Sequence, residues 1–283
     1  MKFQIKNEFI AASFDSLGAE LISLKSNDKE FIWEGNPAFW DKQSPVLFPT
    51  IGSLKDDTYF YEGNKYHLPR HGFAREKQFQ VIQQSSGIII FSLKEDQDSL
   101  KVYPFNFELI IEYRLVEKTL EVNYKVVNTS QSKMFFSIGG HPGLALSDAF
   151  ENYSLVFDSD EALNYSLLEN HLLSDEKQVL ETRENHLPLS YSLFEKDALV
   201  FTDHKIRSVL IQENGKDFVK VNFENFPDLG IWTKVNAPFI CIEPWFGHAD
   251  EVKTNQNLEE KAGIIALESH ENFKSKYTIE IFV

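Results

Sequence analysis

One cysteine, Cys241, stands in 283 residues. A lone thiol cannot build an internal disulfide framework, nor supply structural zinc of the multi-cysteine kind. It fits a reducing compartment, and a cytoplasmic location is the expectation. Positive charge is also scarce: 28 basic against 43 acidic side chains leave a net charge of −15. No run of Lys and Arg offsets it, so neither nucleic acid nor an anionic membrane surface is an expected partner. No window approaches 18 uninterrupted apolar residues, which argues against a membrane-spanning helix. The N-terminal MKFQIKNEFIAASF has early charges and no apolar core, so it does not read as a signal peptide.

Further absences narrow the chemistry. There is no G-x-S-x-G elbow and no glycine-rich phosphate loop opening a helix. No two histidines sit at ligand spacing beside a carboxylate, so the residues suit metal binding poorly. Heptads, fixed-period repeats and low-complexity linkers are missing, and residues 1–283 read as a single domain. Nothing in the sequence sets an oligomeric state.

What is abundant is aromatic. The chain has 25 Phe, 10 Tyr and 4 Trp, many in short alternating runs with Val and Ile. Such side chains pack well on a pleated surface, so the runs predict strands. Phe105 to Asn128 reads as two strands around Glu117-Lys118. Arg207 to Asn222 carries Asn214-Gly215 between apolar runs, a strong hairpin signal. Tyr59 to Leu68 predicts a hairpin turning at Gly63-Asn64, and Ser86-Gly87 a turn between FQVIQQ and IIIFSL. Single helical turns are expected at Pro37 to Lys42 and at Asp96 to Tyr103, the latter ended by Pro104. Asn255 to Ala262 reads as a loop or short turn. Asp158 to Thr182, the least patterned stretch, predicts a long connection. The fold class is therefore all-β, a large antiparallel sandwich or barrel with few short helices.

Three segments carry residue types that strands do not need. Pro69 to Arg75, PRHGFAR, sets a histidine and an arginine around a glycine; a plain polar loop would look the same. Phe135 to Leu144, FFSIGGHPGL, puts Ser137, Gly139 and His141 on one strand face. Gly139-Gly140 then either clears space beside an imidazole or merely supplies unusual dihedrals. Phe239 to Gly247, FICIEPWFG, puts Phe239, Cys241 and Glu243 on one face and Ile240 and Ile242 on the other. A carboxylate in that apolar run is costly unless paired or used, and burial would raise its pKa toward that of a useful base. Two imidazoles, a guanidinium and a carboxylate suit acid/base work on a small polar molecule. Trp245, Phe246, Phe73 and Trp33 offer flat faces for the C–H side of a sugar ring. Of the other histidines, only His248 is close enough to the Glu243 motif to line the same cleft.

These motifs, in this order and spacing, resemble the aldose 1-epimerase (galactose mutarotase) family, in the LacX-like branch of lactic-acid bacteria. The likeness runs from FDSLGAELISL at Phe14 to Leu24 through to the final strand. It implies a large antiparallel β-sandwich, the galactose mutarotase-like supersandwich, with an open sugar cleft. It implies that His141 is the general acid that protonates the ring oxygen, and Glu243 the general base on the anomeric hydroxyl. It places His71 as a hydrogen-bond partner of the sugar near that oxygen, with Arg75 and Asp197 as further sugar contacts. The implied activity interconverts α and β anomers of a free aldohexose, with no cofactor or metal.

Two departures keep alternatives open. The galactose-specific branch has an arginine where this chain has Ser53, after Gly52. The hexose-6-phosphate branch carries Arg-Gly-Gly before its PVVFP segment, where this chain reads Lys42-Gln43-Ser44 before PVLFP. Without that arginine a bidentate phosphate clamp lacks its main part, leaving Lys42, Lys55, Arg70 and Arg75 as substitutes. A hexose-6-phosphate 1-epimerase is the nearest alternative, and a sugar-binding or sensing protein without turnover is the next. A glycoside hydrolase would need a second well-placed carboxylate.

Overall fold

The structure, a computed structural model, describes residues 1–159 and 161–282. Its main layers grow from the alternating aromatic and branched runs. Phe107–Val116 and Thr119–Asn128 bury every second residue and pair antiparallel about a turn at Glu117-Lys118. Ser208–Glu213 and Lys216–Asn222 also pair antiparallel, about Asn214-Gly215, where both residues hold the positive φ that the tight turn demands. With Ile88–Lys94, Gln80–Gln84, Asn272–Ile281, Tyr153–Phe157 and His186–Pro188 they form a nine-stranded antiparallel sheet.

A second, eight-stranded antiparallel sheet runs Leu172–Leu180, Leu163–Glu169, Leu199–Thr202, Asp228–Trp232, Phe239–Phe246, Ile138–Gly140 and Val46–Leu47. Gly143–Ala145 pairs onto the Phe239–Phe246 strand as the eighth member. The two sheets face each other across one core. Phe157 of the first lies 6.3 Å, ring to ring, from Phe201 of the second. A four-stranded antiparallel sheet spans Lys2–Lys6 to Lys29–Glu30, and its Phe14 packs on Tyr113 of the nine-stranded sheet at 4.4 Å. The chain is thus all-β with an antiparallel sandwich, as its sequence predicts. No helix among the described residues is long and apolar enough to cross a membrane.

Local expectations fare unevenly. The turn at Asp96 is the short helix Gln97–Val102, whose N-cap Asp96 accepts from the backbone of Asp98 and Ser99 in a capping box. Ser86-Gly87 connects its two strands as expected. Pro37 to Lys42 forms one turn, closed by the Phe39 and Trp40 N–H groups on the Asn36 carbonyl. Asn255 to Ala262 holds the single 3₁₀ turn Leu258–Glu260.

Two expectations need correction. The Tyr59 hairpin turns at Glu62-Gly63, one residue earlier than predicted, since Tyr61 pairs with Asn64. Asp158 to Thr182 is not a long connection: Leu163–Glu169 and Leu172–Leu180 form a hairpin, with Asp160 outside the described residues. Its second strand lies at the sheet edge and is mostly exposed, so it needs no apolar alternation. Its two-residue turn is Asn170-His171, both at positive φ, without the glycine that usually announces such a turn.

Candidate active site

Strand alternation divides the eight-stranded sheet into two faces. Leu199, Phe201, Leu229, Ile231, Ile240 and Ile242 point into the core shared with the nine-stranded sheet. Val200, Trp232, Glu243 and Trp245 point the other way and line a cavity of about 540 Å³. That size falls within the usual range for a small-molecule site. Gly52, Arg70, His71, Arg75, His141 and Asp197 complete its polar wall.

Glu243 sits in the middle of the Phe239–Phe246 strand, opposite Gly230, and is 1% exposed. His141 follows the Ile138–Gly140 strand and is fixed by its N–H on the Pro45 carbonyl at 3.1 Å. The His141 Nε2 lies 3.2 Å from Glu243 Oε2. Trp40 stacks on the imidazole at 4.7 Å, and Trp232 meets it edge-on at 5.7 Å. Burial, then the charges of Arg70 and Arg75, push His141 down to about 3. Burial pushes Glu243 well above the usual carboxylate range, with Arg70 pulling the other way. Burial thus drives both groups toward their neutral forms. His141 Nδ1 is buried without a hydrogen-bond partner, while Glu243 Oε2 has the His141 Nε2 beside it at 3.2 Å. Unsatisfied polar atoms are expensive in a core and common where a ligand is meant to bind.

The two glycines before His141 serve space, not turning. Neither has a positive φ. A Cβ on Gly139 would lie 2.5 Å from Trp245 Cδ1, and one on Gly140 would lie 2.7 Å from the Tyr277 hydroxyl of the facing sheet. Gly230 yields to the same indole from the other side, at 2.4 Å. Trp245 is therefore clamped between two side-chain-free positions, which fixes one wall of the cavity.

His71 lies in the PRHGFAR loop, where His71 and Gly72 both hold φ 68. Only glycine fits at residue 72, because a Cβ would stand 2.3 Å from the Phe48 carbonyl oxygen, onto which Phe73 and Ala74 donate. His71 is buried and held by Gly52: its N–H donates to the Gly52 carbonyl at 2.9 Å, and its Nδ1 accepts from Gly52 N–H at 3.1 Å. Burial, then His141 and the neighbouring arginines, hold its pKa well below the ordinary value, so the ring is neutral. A neutral ring with Nδ1 accepting must carry its proton on Nε2. The Arg70 Nε–H also points at that Nε2, 3.2 Å away. One imidazole cannot accept at both nitrogens, so the Arg70 contact is the one a ligand oxygen would replace.

The Gly52 segment is braced from behind by a buried ionic cluster. Lys261 Nζ meets Asp250 Oδ1 at 3.1 Å and donates to the His248 carbonyl at 2.7 Å. Asp250 accepts from Lys55 N–H at 3.0 Å and donates its own N–H to the Ser53 carbonyl at 2.9 Å. His248, expected to line the cleft, belongs here instead, buried beside Lys261 with its pKa driven to about 3.

The other expected positions divide. Asp197 lies in the cavity wall, 3.9 Å from Arg70 Nη2 and 3.7 Å from His171 Nδ1. Arg75 lines the cavity, but its Nη2 donates to the Arg70 carbonyl at 2.9 Å, so it braces Arg70. Of the four suggested aromatic faces, only Trp245 reaches the cavity. Trp33 and Phe73 are packed in hydrophobic clusters and Phe246 packs on Phe226 and Phe273. Trp40 and Trp232 take their place, and neither lies in a motif that drew attention. Leu168, His171 and Leu173, from the hairpin read as a connection, form another wall. That hairpin is tied down by the Leu173 N–H on the Asp250 carbonyl and the Val252 N–H on the Leu173 carbonyl.

A metal-type donor set is also present. One ligand atom each of His141, Cys241 and Glu243 lies within 4.8 Å of the others, the one such group among the described residues. Sequence spacing hides it, because it joins a strand-end imidazole to positions i and i+2 of a different strand.

Comparison with known proteins supports the same frame. Residues 1–266 match the aldose 1-epimerase family. The plasmid and chromosomal LacX proteins of Lactococcus lactis subsp. lactis are each 33% identical over 299 residues, covering 99% of this chain and 99% of theirs. The solved structure of a galactose mutarotase related enzyme from Lactobacillus acidophilus is 34% identical, with a TM-score of 0.95 over 100% of this chain and 98% of that one. A galactose mutarotase-like protein from Lactobacillus casei is 26% identical, with a TM-score of 0.94 over 100% of both chains. Galactose 1-epimerase from Lactobacillus acidophilus NCFM, 15% identical with a TM-score of 0.74 over 99% of this chain and 94% of that one, shares the fold. The chain belongs to the aldose 1-epimerase family.

Proposed function

We propose that the protein is a mutarotase that interconverts the α and β anomers of a free aldohexose. The observation that carries this reading is the approach of His141 Nε2 to Glu243 Oε2 at 3.2 Å in one cavity wall. The anomeric hydroxyl and the ring oxygen of a pyranose are bonded to the same carbon. A donor and an acceptor must therefore sit side by side to reach both.

In the reaction, Glu243 takes the proton of the C1 hydroxyl while protonated His141 gives its proton to O5. The C1–O5 bond breaks, C1 becomes an aldehyde carbon, and the O5 lone pair keeps a hydroxyl proton. Rotation about C1–C2 presents the other face, and the two groups run backwards to close the ring. The ion-pair form this requires holds the same number of protons as the neutral form that burial favours, so no proton need come from solvent. Each group contributes on the order of 10²–10⁴ in rate. Neutral His71 donates from Nε2 to the sugar near O5, and Asp197 and Arg70 bind hydroxyls. Trp245, Trp40 and Trp232 cover the C–H faces.

The cation arrangement favours a free sugar over a 6-phosphate. Lys42 is paired with Glu76 at 2.9 Å, Lys55 Nζ donates to the Val252 carbonyl at 3.1 Å, and Arg75 is held by the Arg70 carbonyl. Of the four substitutes Arg70 is the least tied, 3.9 Å from Asp197 with its Nε–H on His71, and one guanidinium is a weak clamp. Polarimetry on freshly dissolved α-glucose, α-galactose and glucose 6-phosphate tests the reading. Accelerated exchange of a free hexose, lost in His141→Asn, is the expected result. Preference for the phosphate replaces the substrate; binding with no acceleration for any of the three removes the enzyme.

A further inference from the structure

We propose that His141, Glu243 and Cys241 together form a binding site for a thiophilic divalent cation of the Zn²⁺ type, and that the bound ion excludes the sugar. The exclusion rests on the proposed mutarotase site; the binding of the ion does not.

Three observations converge. First, Cys241 and Glu243 stand two residues apart on the Phe239–Phe246 strand, so both side chains leave the same face. Second, an imidazole nitrogen, the thiol sulfur and a carboxylate oxygen gather within 4.8 Å. Ligand bonds of about 2.0–2.3 Å at tetrahedral angles put donor atoms roughly 3.3–3.8 Å apart, so the set must contract by about an ångström. Small χ adjustments of Glu243 and His141 supply that. Third, His141 Nε2 and Glu243 Oε2 already stand 3.2 Å apart, near the spacing two ligands of one ion require, and His141 Nδ1 is buried with no hydrogen-bond partner.

The donor chemistry selects the ion. A thiolate, an imidazole and one carboxylate suit Zn²⁺ and disfavour Mg²⁺ and Ca²⁺, which want oxygen shells. Three protein ligands leave a fourth position for water; His141 and Glu243 line the cavity, while Cys241 is packed with Trp33, Ala237 and Phe239 outside that lining. Binding converts the Cys241 thiol to a thiolate and ionises the Glu243 carboxyl, and both protons leave to solvent. The ion then holds both the acid and the base as ligands, leaving neither free to act on the sugar.

The chain has a single cysteine, which makes the test unambiguous. Protein stripped with chelator and dialysed is titrated with Co²⁺, following thiolate-to-cobalt charge-transfer absorption, and with Zn²⁺ by calorimetry. The expected result is one ion per chain carrying the charge-transfer band. The band disappears in Cys241→Ala and Cys241→Ser, and Zn²⁺ binding weakens at least tenfold in both. In sugar assays Zn²⁺ raises the apparent KM of the wild type, and the Cys241 variants lose that sensitivity. Absence of the band from the wild type overturns the proposal, as does equal Zn²⁺ affinity in the variants. The cobalt spectrum is read without sugar. A band in a protein that exchanges no anomer therefore keeps the ion site and rejects the mutarotase.

Discussion

The two faces of the Phe239–Phe246 strand are equally hidden from water, yet they obey different rules. Ile240 and Ile242 on one face and Cys241 and Glu243 on the other are all within 1% of full burial. The isoleucines meet only other apolar groups and are satisfied by contact alone. Glu243 on the other face meets the polar groups of His141 and Trp245, and His141 Nδ1 is left with no partner at all. Burial by itself thus says little about role. What separates a core from a site is whether the hidden groups have been left with something still to bind.

That contrast is open to direct attack. The largest effect belongs to Glu243→Gln. Anomer exchange should fall by about 10²–10⁴ while the melting temperature holds or rises, because a buried ionisable group becomes a neutral one. A parallel loss of fold would mean that Glu243 is structural. Ile242→Ala, one residue away, should do the reverse. It should cost about 2–5 kcal/mol in urea unfolding and leave the exchange rate per folded molecule unchanged. Gly139→Ala probes the boundary between the faces. The new methyl strikes the Trp245 indole, so we expect a cost of about 1–3 kcal/mol and a raised KM with a smaller change in kcat. An unchanged KM would detach the indole from sugar binding.

The smallest effect is a pH dependence away from the pair. Burial raises Asp228 to about 7, with the Gly247 N–H on its carboxyl pulling the other way. The folded state therefore holds a proton that the unfolded chain has released between the ordinary carboxylate range and about 7. Stability is full at the acid end of that window and declines as pH rises through it. We expect a drift of about 1–2 kcal/mol between pH 5 and 7, flattened in Asp228→Asn and read by urea melts at each pH.

How legible all this was depends on how local the signal is. Hairpins such as Asn214-Gly215 declare themselves because turn chemistry and alternation both lie within a few residues. His141 and Glu243 could be named because an imidazole after two glycines and a carboxylate in an apolar run each break a local rule. Trp40 and Trp232 break none; a tryptophan in a loop or at a strand end is unremarkable until the fold carries it to His141. The Leu172–Leu180 strand escaped for a different reason. At a sheet edge its exposed stretch needs no pattern, and Asn170-His171 makes its turn without glycine. The assignment of His248 failed on direction, since sequence proximity to Glu243 says nothing about which side of the loop a ring leaves.

The Leu168, His171 and Leu173 wall comes from an edge hairpin, stitched by two backbone bonds to the segment after His248. Backbone bonds do not read side chains. The hairpin tip can therefore change its sequence, or lengthen by a residue or two, without disturbing the strands that hold His141 and Glu243. On the proposed mutarotase reading, the acid and base stand on interior strands while one wall of the cavity stands on a peripheral finger, so a changed sugar preference could arise there without disturbing His141 and Glu243.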